Sequence, residues 1–256
     1  MDLSEQILLF LISTLANTFS AYAGGGAGLL QLPALIFLGL PFAVALATHK
    51  IASVALGVGA AIRHSQEKKL QWRFALFILV TGVAGVIPGA RFILTVPENI
   101  ANLALGVMTV SLALYSWRRP NMGVNARDTH RDKTGYLTGG AVLMVIGILN
   151  GSLTSGTGLF CTLWLVRWFG LEYKLAVAYT LVVVGIFWNG TGAITLSLLG
   201  TVEWSWLPVL ILGSAIGGYA GAHLAIKSHN SSIKRAFELV TFLTGLALIV
   251  KALTAG

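Results

Sequence analysis

The stretch Ala23-Gly24-Gly25-Gly26-Ala27-Gly28-Leu29-Leu30-Gln31-Leu32-Pro33 decides how this chain can fold. It interrupts an apolar segment that runs from Ile7 to Leu38 and otherwise has the composition of a membrane helix. Four glycines so close together disfavour a continuous helix, because each costs up to about 1 kcal/mol relative to alanine. In hydrocarbon, an opened backbone is tolerated only where it is buried in protein or lines a cavity. The stretch therefore predicts a helix break at a place that a polar ligand visits.

A second break is predicted about 130 residues later, at Thr154-Ser155-Gly156-Thr157-Gly158, inside the apolar segment from Tyr136 to Phe169. Each of the two broken segments is too long for one crossing of a hydrocarbon core ~30 Å thick, so each is predicted to form a bent hairpin. The second arms, at about 13 residues or ~20 Å of helix, favour stopping short of a full crossing. A helix that restarts after such a turn presents free N–H groups and the positive end of its dipole, which suits a small oxyanion.

The composition indicates an all-α, polytopic membrane protein. The chain has 256 residues, of which 56% are hydrophobic and 10% charged, too few charges to cover the surface of a soluble domain. The N-terminus is acidic and no cleavage site follows it, so the first helix is expected to remain in the protein. Besides the two hairpins, six apolar runs are long enough to cross: Phe42 to Ile62, Phe74 to Leu94, Ile100 to Trp117, Ala176 to Leu199, Trp206 to Ile226 and Ile233 to Val250.

Loop charge predicts the orientation of these segments. Of the 17 basic residues, 14 fall in loops that the positive-inside rule places in the cytoplasm, whereas the opposite loops carry Asp2, Glu5, Glu98 and Glu203. This distribution also accounts for the net charge of +8, so no nucleic-acid partner is expected. Each half then has an odd number of crossings, which gives two inverted-topology repeats, each a glycine-broken helical hairpin plus three transmembrane helices. The predicted units are residues 1–118, a cytoplasmic linker 119–134, and residues 135–256.

An internal repeat supports the division into halves. Gly26-Ala27-Gly28 aligns with Gly156-Thr157-Gly158, and Ala47-Thr48-His49 falls opposite Ala178-Tyr179-Thr180. A GxxxG pair recurs at Gly85 and Gly89 and at Gly217 and Gly221, a spacing that we interpret as helix packing rather than substrate contact.

Few ionisable residues lie inside the predicted spans, and each is a functional candidate by default. Lys50 lies about eight residues into its span beside Thr48 and His49, where a cation needs an anion or a water-filled cavity. Arg91 lies near the end of its span. The simpler interpretation is that its alkyl chain extends far enough to place the guanidinium at the membrane interface. Amides and hydroxyls near the breaks, with one or two cations and no carboxylate close by, favour anion passage. For each single polar residue, helix–helix hydrogen bonding competes evenly with ligand contact.

Enzymatic chemistry is not expected. The single cysteine, Cys161, excludes an intramolecular disulfide and a cysteine-based metal cluster, and the sequence contains no HExxH, CxxC or P-loop pattern. We therefore predict no metal and no cofactor.

The chain resembles the sulfite exporter TauE/SafE family, also called the TSUP family of anion permeases. In the first half the resemblance rests on residues 24–33, on Gly39-Leu40-Pro41 and on Ala45-Leu46-Ala47-Thr48-His49-Lys50, where the family typically has an A-T-N-K-like string. In the second half it rests on Ser155-Gly156-Thr157-Gly158, Phe169-Gly170 and Ala178-Tyr179-Thr180. The chain departs from the family at His49, where an asparagine is usual, and at Phe160-Cys161-Thr162, where a proline usually follows the second glycine turn.

The resemblance implies a bacterial inner-membrane exporter of small sulfur oxyanions or organosulfonates, such as sulfite. We expect a transporter that binds its anion near the midplane between the two breaks and works by alternating access; an anion channel or uniporter is the alternative. The partners expected are the small anion and the bilayer, and the apolar helix faces permit a homodimer, although lipid would satisfy them equally. The predicted substrate-binding residues are Gly24, Gly25, Gly26, Ala27, Gly28, Thr48, His49, Lys50, Thr154, Ser155, Gly156, Thr157, Gly158, Tyr179 and Thr180. Secondary candidates are Gln31, Arg91 and Asn189.

Overall fold

A computed structural model describes residues 3–23, 28, 30–65, 70–118, 129–154, 156–228 and 230–254, and these form helices and their connections without a strand. This confirms the all-α prediction. The elements are α1 (Leu3–Ala23), α2 (Gln31–Phe37), α3 (Phe42–Ser65), α4 (Trp72–Ile93), α5 (Glu98–Trp117), α6 (Lys133–Ser152), α7 (Thr157–Phe169), α8 (Tyr173–Tyr179), a π-helical segment (Thr180–Trp188), α9 (Asn189–Leu199), α10 (Leu207–Lys227) and α11 (Asn230–Thr254).

The protein is a multi-pass membrane protein. Six helices in the described part of the chain are long and apolar enough to cross: Phe42–Arg63, Trp72–Ile93, Glu98–Trp117, Lys133–Ser152, Tyr173–Leu199 and Leu207–Lys227. Five of them coincide with predicted spans, and the sixth, Lys133–Ser152, is the first arm of the second predicted hairpin. The remaining predicted span, Ile233 to Val250, lies within α11, a helix of 25 residues.

Both predicted helix breaks are present. α1 ends at Ala23 and α2 begins at Gln31, while α6 ends at Ser152 and α7 begins at Thr157. At the second break Gly156 has φ 73°, a left-handed conformation that favours glycine, and Thr154 has φ 59°. The second arms contain 7 and 13 residues, about 10 Å and 20 Å of helix, so both are too short to cross a ~30 Å core.

Glycines allow the helices to approach until their backbones touch. A Cβ atom added to Gly85 or Gly89 of α4 would lie 2.0 Å or 2.1 Å from carbonyl oxygens of α6. One added to Gly217 or Gly221 of α10 would lie 2.7 Å or 2.3 Å from carbonyl oxygens of α1. Both GxxxG pairs therefore lie at helix crossings, as the packing interpretation predicts.

The pairing of helices is preserved when the two halves of the chain are exchanged. In the repeat, α6 is the counterpart of α1, and α4 is the counterpart of α10. α1 packs against α10, and α6 likewise packs against α4. α5 packs against its own counterpart α11, and α3 packs against the π-helical segment and α9. This pattern agrees with two related halves, whose opposite orientation in the membrane stays a prediction.

The turn between α2 and α3 is held at both of its helix ends. The Lys251 ammonium donates to the Ile36 carbonyl oxygen at the C-terminal end of α2, at 2.6 Å, and the Glu98 carboxylate accepts from the Phe42 amide that begins α3, at 3.2 Å. A cation at a helix C-terminus and an anion at an N-terminus both stabilise the helix dipole. The turn passes through Gly39, whose φ of 102° favours glycine. These contacts from α5 and α11 fix where α3 begins.

The inverted orientation can be tested by labelling two equivalent turns, at Thr95 after α4 and at Ser228 after α10. In a Cys161→Ala background, we expect Thr95→Cys to react with a membrane-impermeant maleimide in intact cells, because its turn is predicted outside. Ser228→Cys should react only after the membrane is permeabilised. The Cys161→Ala chain is the unlabelled control, because it contains no cysteine. Labelling of both turns from one side would mean parallel repeats.

Candidate functional site

One turn of α3 contacts both helix breaks. Thr48, His49 and Lys50 follow one another on this turn, and the side chains of all three are fully buried. Lys50 lies about 12 Å along the axis from the start of α3, close to the ~15 Å half-thickness of the hydrocarbon core. Two groups of polar residues surround this turn, one at each break.

The Lys50 cluster lies at the second break. The Lys50 ammonium donates to the Thr154 hydroxyl at 2.6 Å and to the side-chain carbonyl oxygens of Asn150 and Asn189, each at 3.2 Å. These partners come from α6, the break itself and α9, and all of them are buried. Three hydrogen bonds use every N–H of the ammonium. Within the described residues its partners are neutral oxygens and none is a carboxylate, so the positive charge is not neutralised.

The start of α7 adds to the positive potential at this break. The amides of Thr157, Gly158 and Leu159 form the first turn and have no acceptor within α7. The Thr157 side chain completes the Lys50 cluster, since its hydroxyl accepts from the Asn150 amide nitrogen at 3.0 Å and donates to the Thr154 carbonyl oxygen. A buried cation beside a helix N-terminus makes this break a favourable place for a small anion.

Gly192 of α9 supplies the space that the Lys50 side chain occupies. A Cβ atom added to Gly192 would lie 2.7 Å from Cδ, 2.9 Å from Cε and 3.1 Å from Nζ of Lys50. Any larger residue here would push the ammonium away from its three acceptors. Sequence analysis did not single out Gly192, because nothing in the sequence relates it to Lys50.

The His49 cluster lies at the first break and contains Ser13, Asn17, Gln31, His49 and Ser214, all fully buried. The Gln31 amide nitrogen donates to the hydroxyls of Ser13 and Ser214, at 2.8 Å and 3.0 Å. The Gln31 carbonyl oxygen lies 2.8 Å from Nδ1 of His49, and the Asn17 amide nitrogen donates to Ser214 at 3.0 Å. The two helix breaks are therefore joined through the consecutive residues His49 and Lys50.

Several predicted site residues lie elsewhere. The Thr48 hydroxyl accepts from the Glu203 backbone amide at 2.9 Å, the Tyr179 hydroxyl accepts from the Gln71 amide at 2.7 Å, and the Thr180 hydroxyl accepts from Thr162 at 2.8 Å. Arg91 is exposed in the last turn of α4, as expected for a side chain that reaches the interface. None of these hydrogen bonds joins either cluster.

The remaining predicted residues that the structure describes lie at the breaks or in the two clusters beside them. Gln31 belongs to the His49 cluster and Asn189 to the Lys50 cluster, and Gly28, Gly156 and Gly158 are buried at the two interruptions. Gly24, Gly25, Gly26, Ala27 and Ser155 fall outside the described residues.

Ser13 and Ser214 are site residues that sequence reasoning missed. Ser214 is a lone hydroxyl in an apolar run of α10, and Ser13 lies beside Thr14 on α1; such residues most often bond within their own helix. The close crossing of α1 and α10 brings the two within 3.3 Å of each other. Their only sequence signal is the row of small residues that permits that crossing.

Comparison with known proteins agrees with the transporter-like architecture. The model of the family described as "Sulfite exporter TauE/SafE" matches residues 9–248. The chain belongs to this family. No solved structure shows a significant match.

Relatives of this TauE/SafE chain are named as membrane transporters. A probable membrane transporter protein of Haemophilus influenzae is 27% identical over 247 residues, which cover 95% of the chain and 94% of the relative. The probable membrane transporter protein ORF9 of a Sinorhizobium species is 26% identical over 251 residues, covering 97% and 94%. YunE of Bacillus subtilis, also named a probable membrane transporter protein, is 22% identical over 269 residues, covering 96% and 98%. Together with the apolar helices, the family identifies the chain as a membrane transporter.

Gly192→Ala tests whether the position of the Lys50 ammonium matters in this TauE/SafE protein. The added methyl group meets a flexible side chain, so we expect the melting temperature to stay close to that of the parent. Its transport activity in proteoliposomes should fall about tenfold or more, the effect of losing one hydrogen bond to a charged group.

Gly190→Ala is the matched control, because the nearest atom to its added Cβ would be a Val54 methyl at 3.8 Å. This control should keep both the melting temperature and the uptake of the parent. Equal uptake by the two alanine variants would contradict a role for the Lys50 position.

Proposed function

We propose that the chain exports sulfite, or a related small sulfur oxyanion or organosulfonate, across the inner membrane of a bacterium by alternating access. The anion binds near the midplane between the two helix breaks, and Lys50 compensates its charge. The family supports the sulfur chemistry, because its model is named for sulfite export. The bacterial relatives support the cellular setting.

The observation that carries the proposal is the buried Lys50 ammonium, bonded to three neutral oxygens. Removing an ammonium from water costs several kcal/mol, and uncharged acceptors recover only part of that. A bound anion would supply the missing opposite charge. An oxyanion at the Lys50 cluster could accept from the Thr154 hydroxyl and the Gly158 amide, and from the ammonium in exchange for one of its three present acceptors. The hydroxyl and the amide of Thr157 already donate to the Thr154 carbonyl oxygen.

Full burial of the Lys50 cluster supports a carrier rather than an open pore. Lys50 has no exposed surface, so an anion can reach it from either side only after the surrounding helices move. Such a rearrangement is the essential step of alternating access, in which elements shift around a site near the midplane. The inside-negative membrane potential would itself favour efflux of an anion.

Counterflow into proteoliposomes tests the substrate and the mechanism together. Vesicles loaded with unlabelled sulfite, sulfoacetate or thiosulfate are diluted into labelled anion, and exchange is followed with time. We expect saturable exchange of at least one of the three. Ohmic conductance without counterflow would identify a channel. The absence of both conductance and counterflow would contradict anion transport.

Lys50→Met tests the role of the charge, because methionine keeps most of the length of the side chain and removes the ammonium. We expect at least ~100-fold weaker apparent anion affinity, since breaking a buried charge interaction is worth about 3 kcal/mol or more. The melting temperature should change little, because relief from burying the charge offsets the loss of a donor to the acceptors on Asn150, Thr154 and Asn189.

Ser53→Ala is the control one turn further along α3. Its hydroxyl is buried and donates to the Lys50 carbonyl oxygen at 2.9 Å, so it lies close by without joining the Lys50 cluster. We expect parental transport from it. A Lys50→Met protein that melts at a lower temperature yet keeps anion affinity would show that the lysine only holds helices together.

A further inference from the structure

The His49 cluster contains two buried acceptors that have no partner. Among the described residues, Nε2 of His49 and Oδ1 of Asn17 make no hydrogen bond, although both side chains are fully buried. An unpaired polar atom in a buried site destabilises the fold by roughly 1–3 kcal/mol, so its persistence calls for an explanation. The mechanism proposed above does not use either atom.

The hydrogen bonds of Gln31 fix which nitrogen of His49 can accept a proton. The Gln31 amide nitrogen gives its two hydrogens to Ser13 and Ser214, which leaves the carbonyl oxygen facing Nδ1 of His49 at 2.8 Å. A carbonyl oxygen only accepts, so Nδ1 carries the hydrogen of that bond. In the neutral ring Nε2 then has a free lone pair, and an added proton would go there.

The charged group nearest to His49 along α3 is Lys50, the next residue. Elements packed against this turn of α3 present the neutral side chains of Ser13, Asn17, Gln31 and Ser214. Glu98 binds the Phe42 amide about 10 Å back along the helix axis. The Glu203 backbone bonds to Thr48, and its carboxylate accepts from Ser205. At the far end, Arg63 donates to His223 of α10 about 21 Å from His49 along the axis.

We propose that His49 Nε2 is the proton site that couples anion transport to proton movement. This inference rests on the proposed function and names its coupling ion. With the site empty, a protonated imidazole beside the Lys50 ammonium would place two like charges in a buried region, which disfavours the proton. With an anion bound, the second positive charge is compensated. The anion and the proton therefore bind together, from the same aqueous side.

The chemistry of the His49 cluster suits a proton better than a metal cation. A metal ion needs several oxygen ligands, but the Ser13 and Ser214 hydroxyls already bond to Gln31 and to each other. The Lys50 ammonium would also repel a metal ion. A proton needs one lone pair and no extra space, and the new N–H could donate towards an acceptor such as the bound anion.

The proposed step moves a proton without breaking any other bond. A proton from the aqueous side binds the Nε2 lone pair as the anion enters. The loaded site then becomes accessible from the other side of the membrane, and the proton leaves with the anion. A dianion that moves with one proton carries one net negative charge. The membrane potential would therefore still favour efflux.

The test uses accumulation of sulfoacetate or thiosulfate in proteoliposomes with the potential clamped at zero by valinomycin and equal potassium. Sulfoacetate, through its sulfonate and carboxylate groups, and thiosulfate, the anion of a strong acid, stay ionised between about pH 6 and pH 8, so these probes carry no proton of their own, unlike sulfite. With the outside one pH unit more acidic, coupling to one proton gives about tenfold accumulation of the anion inside at equilibrium. A pH-sensitive dye in the lumen should report protons entering with the anion.

His49→Asn assigns the proton site, because the asparagine amide can still donate to Gln31 but has no titratable lone pair. We expect it to exchange anion for anion, at whatever rate it retains, and to show an accumulation ratio of about one, with no proton entry. His49→Gln asks the same question if the asparagine variant does not fold. The matched control is His223→Asn, which changes the half-buried histidine that accepts from Arg63 and should keep the tenfold ratio.

The outcomes separate this inference from the proposed function. Anion exchange by the parental protein with an accumulation ratio of one would overturn proton coupling and leave the transporter intact. Tenfold accumulation by both His49 variants would place the proton site elsewhere. If the protein exchanges none of the three sulfur anions, the proposed function itself is contradicted.

Discussion

The structure depends on an unneutralised ammonium held at the centre of an apolar bundle. Lys50 can stay there because three oxygens surround it, two of them on α6 and α9 and one at the second break. All three belong to the second half of the chain, whereas Lys50 belongs to the first. The interaction therefore ties the halves together where the helix is interrupted. Since its partners are neutral, this contact also leaves the site receptive to a negative charge.

The glycine breaks and the lysine could be predicted from the sequence because their physics is local. Clustered glycines disfavour a helix wherever they occur, and a lysine at mid-depth is conspicuous in any apolar run. The lengths of the spans follow from the thickness of the bilayer. These constraints were sufficient for the membrane architecture and for the buried cation of the candidate site.

The partners of that cation depend on how helices cross, which one sequence does not encode locally. Repeat equivalence predicted Tyr179 and Thr180 as the counterparts of Thr48 and His49, yet their side chains bond to Gln71 and Thr162. The halves share their helix pairing but not their side-chain chemistry. The space at Gly192 and the serine pair at the α1–α10 crossing likewise arise only from tertiary packing.

The exchange of partners between the halves has a mechanical consequence. α1 lies against α10 and α6 against α4, at crossings where glycine brings backbones into contact. Each tightly joined unit thus combines a helix from before the linker with one from after it. If the two halves of the chain moved as separate rigid bodies, the α1–α10 and α4–α6 crossings would have to separate. Gly59 and Gly218 bring the α3 and α10 backbones equally close, so α3 would move with the α1–α10 pair in any rearrangement that keeps these crossings.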